Sequence, residues 1–217
     1  MQSRGAIVVG AGPRIGAALA LRLAEEGYDV GLVGLDTGVM DELVARIGEV
    51  GRSAFAAVAD VADSDALAAA VQDLAASLGS VELLHFNPSW WRSKSPLSLT
   101  PQELAADVSF GVGGLLVALQ AALPTMRAGS RITATGSVAA DAPNVVAASL
   151  GVQKAGLRNL VQSIDLCLAG DGIRAASVTV DGVVQDEGVF SPEAIAEAIT
   201  QVAGRDEDAW TPHVRHP

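Results

Sequence analysis

One cysteine in 217 residues, Cys167, leaves no partner for an intramolecular disulfide and suits a reducing compartment, so a cytoplasmic protein is expected. Basic side chains are scarce: 14 Lys and Arg stand against 25 Asp and Glu, a net charge of −11. Such a surface repels phosphate backbones and anionic headgroups, which sets nucleic acid and membrane aside as expected partners. No apolar run reads as long enough to span a bilayer, and Met1 leads into a strand-like run with no signal-peptide pattern. No group of His, Cys, Asp and Glu has metal-ligand spacing, so no metal is expected. Aromatic residues make up 4% of the chain, with a single tyrosine, Tyr28. Any chemistry that needs a phenol therefore rests on that one residue. What the chain does have is apolar mass: 50% is hydrophobic and 18% charged, enough for a large core and contrary to disorder.

That mass is patterned. Short β-branched runs alternate with stretches of helical spacing. Ala6 to Val9 reads as a strand buried on both faces. Ile15, Leu19 and Leu23 then follow at four-residue spacing, and Gly27 closes the helix. The alternation repeats with strands at 30–33, 53–58, 81–86, 131–135 and 173–180 and a possible seventh at 210–214. Thr100-Pro101-Gln102-Glu103 has the form of a capping box opening a long helix towards Met126, and Ser191-Pro192-Glu193 caps the last helix. Strands separated by helices are joined by crossovers. The expected fold is therefore α/β, a Rossmann-like doubly wound parallel sheet of six to seven strands with helices on both faces. Residues 1–217 read as one dinucleotide-binding domain with a short tail over 205–217 and no linker or repeat.

A doubly wound sheet takes its ligand at the carboxyl ends of the strands. The first turn there is Gly10-Ala11-Gly12-Pro13-Arg14-Ile15-Gly16, where glycines let the backbone approach a pyrophosphate and the helix N-terminus stabilises its charge. The chain here resembles the short-chain dehydrogenase/reductase family, whose loop is T-G-x-x-x-G-x-G. Val9 stands for the Thr and Arg14 for the middle Gly. Asp60-Val61 resembles the family's Asp-Val pair, which implies that Asp60 accepts a hydrogen bond from the adenine amino group. Asn87, in Phe86-Asn87-Pro88-Ser89, keeps the second Asn of the family's Asn-Asn-Ala-Gly. The resemblance implies an NAD(P)(H) site that includes Gly10, Gly12, Arg14, Ile15, Gly16, Asp60, Val61, Asn87 and Lys154. Arg14 matches members that hold adenosine phosphates and favours NADP(H) over NAD(H), whereas Leu35 stands at the position after strand two where an Asp would select NAD, and Asp36, one residue later, somewhat opposes a 2′-phosphate.

In that family a Tyr protonates the substrate, a Lys four residues on binds the nicotinamide ribose, a Ser steadies the substrate oxygen and an Asn completes a water relay. Lys154 and Ser137 match the Lys and Ser. The Tyr position falls on Leu150 and the Asn position on Gly111. Tyr28 precedes strand two at the amino end of the sheet and cannot substitute. The resemblance implies an oxidoreductase with a degenerate catalytic site. The alternatives are a non-catalytic nucleotide-binding or scaffold protein, and a non-redox isomerase or lyase on the same fold. One branch of the family shares Ser149-Leu150-Gly151, Thr179-Val180-Asp181-Gly182 and Trp210-Thr211.

Other side chains carry weaker expectations. Asp181 and Asp186 are candidate replacement acids if screened from water, and otherwise solvated loop carboxylates. His85 reads as a satisfied core histidine, His213 and His216 as exposed tail residues, and Cys167 as core packing beside Ile164 and Leu168. Gly113 and Gly114 flank Gly111 in a helix interior, which marks close approach of a ligand or another helix. Trp90 and Trp91 read either as lining a cleft for a flat or apolar small molecule or as an oligomer contact or lid packing. The loop from Val184 to Ser191 is short, so the pocket is open or closed by a partner subunit. Family helices commonly form a dimer face, here expected to include Leu160, Val161 and Ile164 in a homodimer or homotetramer.

Overall fold

The computed structural model describes residues 4–217, so the expectation at Met1 lies outside the described residues. Seven strands form one sheet: β1 (Arg4–Val9), β2 (Tyr28–Gly34), β3 (Ala54–Val58), β4 (Leu83–Phe86), β5 (Arg131–Ser137), β6 (Arg174–Val180) and β7 (His213–His216). All pairings are parallel, in the order β3-β2-β1-β4-β5-β6-β7. The order reverses between β1 and β4, so the crevice opens beyond Val9 and Phe86. This is the Rossmann-like α/β fold expected from the alternation.

Helices cover both faces. On one, α1 (Ile15–Glu25), α2 (Thr37–Glu49) and α7 (Pro192–Ala203) bury Leu19, Leu43 and Ile199. On the other, α3 (Ser64–Leu78), α5 (Gly114–Ala122) and α6 (Ala148–Leu168) bury Val71, Leu115 and Leu157. Near-continuous apolar strands such as Ala6–Val9, none of them exposed, follow from that double coverage. The capping box is formed: Thr100 Oγ1 accepts from Glu103 N at 3.2 Å, Glu103 Oε2 accepts from Thr100 N at 3.0 Å, and α4 (Pro101–Val108) begins there.

α4 runs through a π-helical turn, Ser109–Gly113, into α5. The stretch Pro101–Thr125 is, by length and composition, long and apolar enough to cross a membrane, which corrects the expectation that no run reaches that length. Its residues Leu115, Ala118, Leu119 and Ala122 are part of the core against the sheet. The seventh strand expected near 210–214 is present as β7, which pairs with β6, and Trp210 is buried with its Nε1 donating to Asp165 at 3.0 Å. Two further expectations fail. Cys167 is exposed, since it lies off the buried stripe of Leu157, Val161 and Ile164. That same stripe removes Val161 and Ile164 from any dimer face: both are buried in the chain's own core, with Leu160 packed against it.

Candidate functional site

The first turn is shaped by the carbonyl oxygens it must satisfy. Gly10 adopts φ +86°, and the N–H groups of Gly10 and Ala11 both donate to Val33 O at 2.9 Å. A Cβ on Gly16 would sit 2.2 Å from Gly10 O, so only glycine lets α1 start this close to the strand. A Cβ on Gly12 meets nothing within 4 Å and faces the open crevice. No acidic residue occupies the first turn of α1, which leaves its N–H groups to attract an anion.

The turn opens into a cleft of about 610 Å³. Gly10, Gly12, Arg14, Ile15, Gly16, Asp60, Val61 and Asn87 line it at one end, and Ser137, Leu150 and Lys154 at the other, so the sequence-derived site residues meet in one crevice. Asp60 Oδ1 accepts from Ala62 N at 2.9 Å. Arg14 reaches across the mouth to Val184 O at 3.2 Å and to Asp186 at 3.3 Å. Asp36 also lines the cleft, but its Oδ1 caps α2 by accepting from Val39 N at 3.1 Å.

Beneath the cleft a directional hydrogen-bond chain joins β5, β4 and the turns that follow β4 and β1. Thr135 Oγ1 donates to Asn87 Oδ1 at 2.8 Å, and Asn87 Nδ2 donates to Gly10 O at 3.2 Å. The Thr135 hydroxyl has one hydrogen, so it must accept from His85 Nε2 at 3.1 Å. His85 Nδ1 then accepts from the Thr133 hydroxyl at 2.8 Å. His85 is thereby a satisfied, neutral core histidine as expected, and burial followed by the charge of Lys154 pushes its pKa down to about 3.

Lys154 is 4% exposed, and its Nζ donates to Thr135 O at 2.7 Å. No carboxylate pairs with it among the described residues, and burial lowers its pKa to about 8. Ser137 Oγ accepts from Ala139 N at 3.2 Å, which leaves its hydrogen for a ligand. Leu150, half-buried, occupies the cleft wall where a phenol would stand in the resembled family. Tyr28 opens β2 at the amino end of the sheet, with the Arg4 guanidinium 4.0 Å over its ring.

Gly111 has a specific cause. A Cβ there would lie 2.4 Å from Gln153 Oε1. Gln153, fully buried, uses that space to hold the backbone of Trp90: Oε1 accepts from Trp90 N and Nε2 donates to Trp90 O, each at 3.0 Å. Gly114 similarly admits Val61 and Phe86, so close helix packing is what these glycines serve. Gln153 was not singled out from the sequence. Its signal was a polar side chain beside Lys154 on an apolar helix, together with a glycine where the resemblance implies Asn.

The tryptophans do not line the cleft. Gln153 holds the Trp90 backbone and Arg92 pairs with buried Asp107 at 2.7 Å, so the segment is pinned to α4 and α6. The Trp90 indole meets Phe110 edge-on at 5.5 Å, and both tryptophans stay about half exposed. Ser89 and Phe110 line the cleft instead. Neither candidate acid sits free in a dry site: half-buried Asp181 makes two hydrogen bonds with Arg215, at 2.8 and 2.7 Å, and Asp186 is 97% exposed. His213 and His216, expected to be exposed, are half-buried in β7, and His213 Nε2 lies 2.9 Å from Thr179 Oγ1. Among the described residues no group of three or more His, Cys, Asp or Glu could hold a metal ion.

A parallel doubly wound sheet with a glycine turn and a cleft at its switch point defines a Rossmann-type nucleotide-binding protein. The comparisons narrow the class. The short chain dehydrogenase family model matches residues 4–187, and the chain belongs to that family of oxidoreductases. The chain is 30% identical over 215 residues to 3-oxoacyl-[acyl-carrier-protein] reductase FabG of Staphylococcus aureus, covering 95% of this chain and 87% of that protein. Among solved structures it is similar to a metagenomic short-chain oxidoreductase in complex with NADP (TM-score 0.87, 26% identity, 99% and 97% of the two chains). It is also similar to a short chain dehydrogenase from Burkholderia cenocepacia in complex with NADP (TM-score 0.88, 27% identity, 99% and 96%).

Proposed function

We propose that this chain binds NADP(H) in preference to NAD(H) and serves as an oxidoreductase whose catalytic site departs from that of its family. The observation that carries this reading is the single cleft in which Gly10, Gly12, Gly16 and Asn87 face Ser137 and Lys154. The cleft fits a dinucleotide: its volume suits a cofactor-sized ligand, and Gly12, where a Cβ would stand in open space, leaves the turn bare on the cleft side. Gly10, Gly12, Ile15 and Gly16 would receive the pyrophosphate, Arg14 the 2′-phosphate, Asp60 and Val61 the adenine, and Lys154 the nicotinamide ribose. The NADP complexes of two similar structures support the choice of coenzyme. The bound coenzyme would supply the reducing equivalents.

Ser137 would donate its free hydrogen to a substrate carbonyl oxygen. Leu150 and Gly111 hold no proton, and Asp181 and Asp186 are engaged by Arg215 and Arg14, so protonation falls to water entering the cleft. The whole chain would act as one domain, in the cytoplasm, as a homodimer or homotetramer, on a flat or apolar small molecule. A second reading, non-catalytic nucleotide binding, is favoured by the apolar Leu150 in the cleft wall. Calorimetric titration with NADPH and NADH tests the first step. Saturable binding, tighter for NADPH, is expected, and no binding of either at millimolar concentration overturns both readings.

A further inference from the structure

Lys154 presents an amine chemistry that the reductase reading does not use. The chain contains only two lysines, Lys94 and Lys154. Lys94 is ion-paired, its Nζ 2.6 Å from Glu103 Oε1. Among the described residues Lys154 has no such counter-charge. It sits at the floor of a cleft walled by Leu150, Phe110 and Val180, and its one hydrogen-bond partner is a neutral carbonyl, Thr135 O. The titratable group that faces it is His85, itself neutral, so neither element packed against Lys154 holds its charge in place. A lysine in an apolar pocket without a carboxylate is the arrangement in which the amine, and not the ammonium, is available as a nucleophile. In the resembled family the group at the Leu150 position is a phenol; the leucine itself offers the amine no hydrogen bond.

We infer that, in the coenzyme-free protein, Lys154 captures unhindered aldehydes or ketones of apolar character as imines, with Ser137 assisting. The inference uses the cleft of the proposed function but not coenzyme binding itself. The neutral Nζ attacks the carbonyl carbon, a C–N bond forms and the carbonyl oxygen takes a proton, giving a carbinolamine. Ser137, whose hydroxyl donates to no described residue, is placed to hydrogen-bond the carbonyl oxygen on the same cleft wall. The nitrogen loses its extra proton to water, a second proton lets the hydroxyl leave as water, and the resulting iminium gives up its remaining N–H proton to solvent to leave the imine. Amine and carbonyl become imine and water with no net oxidation. Burial supports the neutral form: with a pKa brought to about 8 rather than the ordinary 10.5, the unprotonated fraction at pH 7.5 is on the order of a hundredfold larger than for an ordinary lysine.

The test uses the native full-length chain, benzaldehyde as probe and cyanoborohydride to trap the imine as a stable secondary amine, with peptide mapping by mass spectrometry. Lys94 serves as the internal control, and the α-amino group is read on its own peptide. The expected result is saturable labelling of Lys154, at least tenfold faster than Lys94 at pH 7.5, rising with pH and levelling near 8. NADPH is expected to suppress the Lys154 adduct and not the Lys94 adduct. No Lys154 adduct, or labelling of the two lysines at equal rates, overturns the inference. The coenzyme titration has its own readout, so each idea can fail alone: tight NADPH binding with an inert Lys154 sinks only this one, and a labelled Lys154 without NADPH binding sinks only the other.

Discussion

Gln153 clamps Trp90 by both backbone polar groups, with Oε1 on the N–H and Nε2 on the carbonyl, each at 3.0 Å. The clamp joins α6, one residue before Lys154, to the segment that follows β4. It exists because residue 111 has no side chain, since a Cβ there would lie 2.4 Å from Gln153 Oε1. The glycine at 111 and the glutamine at 153 are two sides of one packing solution.

Gly111→Ala is therefore expected to destabilise the fold by about 1–3 kcal/mol, the usual cost of overpacking a closed core. In a Gln153→Ala background the same change should cost far less, because the obstructing amide is gone. Urea unfolding of the four proteins of the cycle measures the coupling. Additive losses would show that the two positions do not compete for space.

His85 predicts an acid-sensitive fold. Its folded pKa of about 3 lies below the ordinary 6.5, so between those values the unfolded chain binds a proton that the native state refuses. The stabilisation is complete above pH 6.5 and is lost as pH falls towards 3. Between pH 7.5 and 5 the loss should be about 2 kcal/mol, and His85→Gln should remove that dependence. Chemical unfolding at both pH values checks it.

Lys154 has the opposite consequence at neutral pH. Its lowered pKa means that the charged side chain costs the native state stability wherever both states are protonated, which is below about pH 8. Stability should rise as pH climbs from about 8 towards the ordinary value of 10.5. Lys154→Met should gain up to roughly 3 kcal/mol at pH 7 and nothing near pH 10.5. Thermal or urea unfolding across that range reads the difference, and a destabilised variant at pH 7 would contradict it.

Leu150→Tyr restores a phenol one helical turn before Lys154, on the cleft wall. If protonation limits reduction, the variant should reduce members of an aldehyde and ketone panel with NADPH at least tenfold faster than the native chain, a gain typical of a placed general acid. NADPH oxidation followed by absorbance measures this. Equal rates would show that the missing phenol is not what limits the site.

The alternation of strands and helices, the glycine turn and the capping box at Thr100 were legible in the sequence because each depends on neighbours a few residues apart. So was the count of one tyrosine, and its place at the wrong end of β2 follows from strand direction alone. Tertiary structure decided the rest. Cys167 and the Leu160 to Ile164 stretch exchanged expected roles because helix phase relative to the sheet, and not residue type, sets exposure. Trp90 turned from the cleft to Phe110, and Trp210 was buried against Asp165, through contacts with Gln153 and α6 that lie far away in sequence. The hydrogen-bond chain from Thr133 through His85, Thr135 and Asn87 to Gly10 likewise joins β5, β4 and the turns that follow β4 and β1. Sequence periodicity fixes which face a side chain takes within its own element. Only the packing of elements against one another fixes what that face meets.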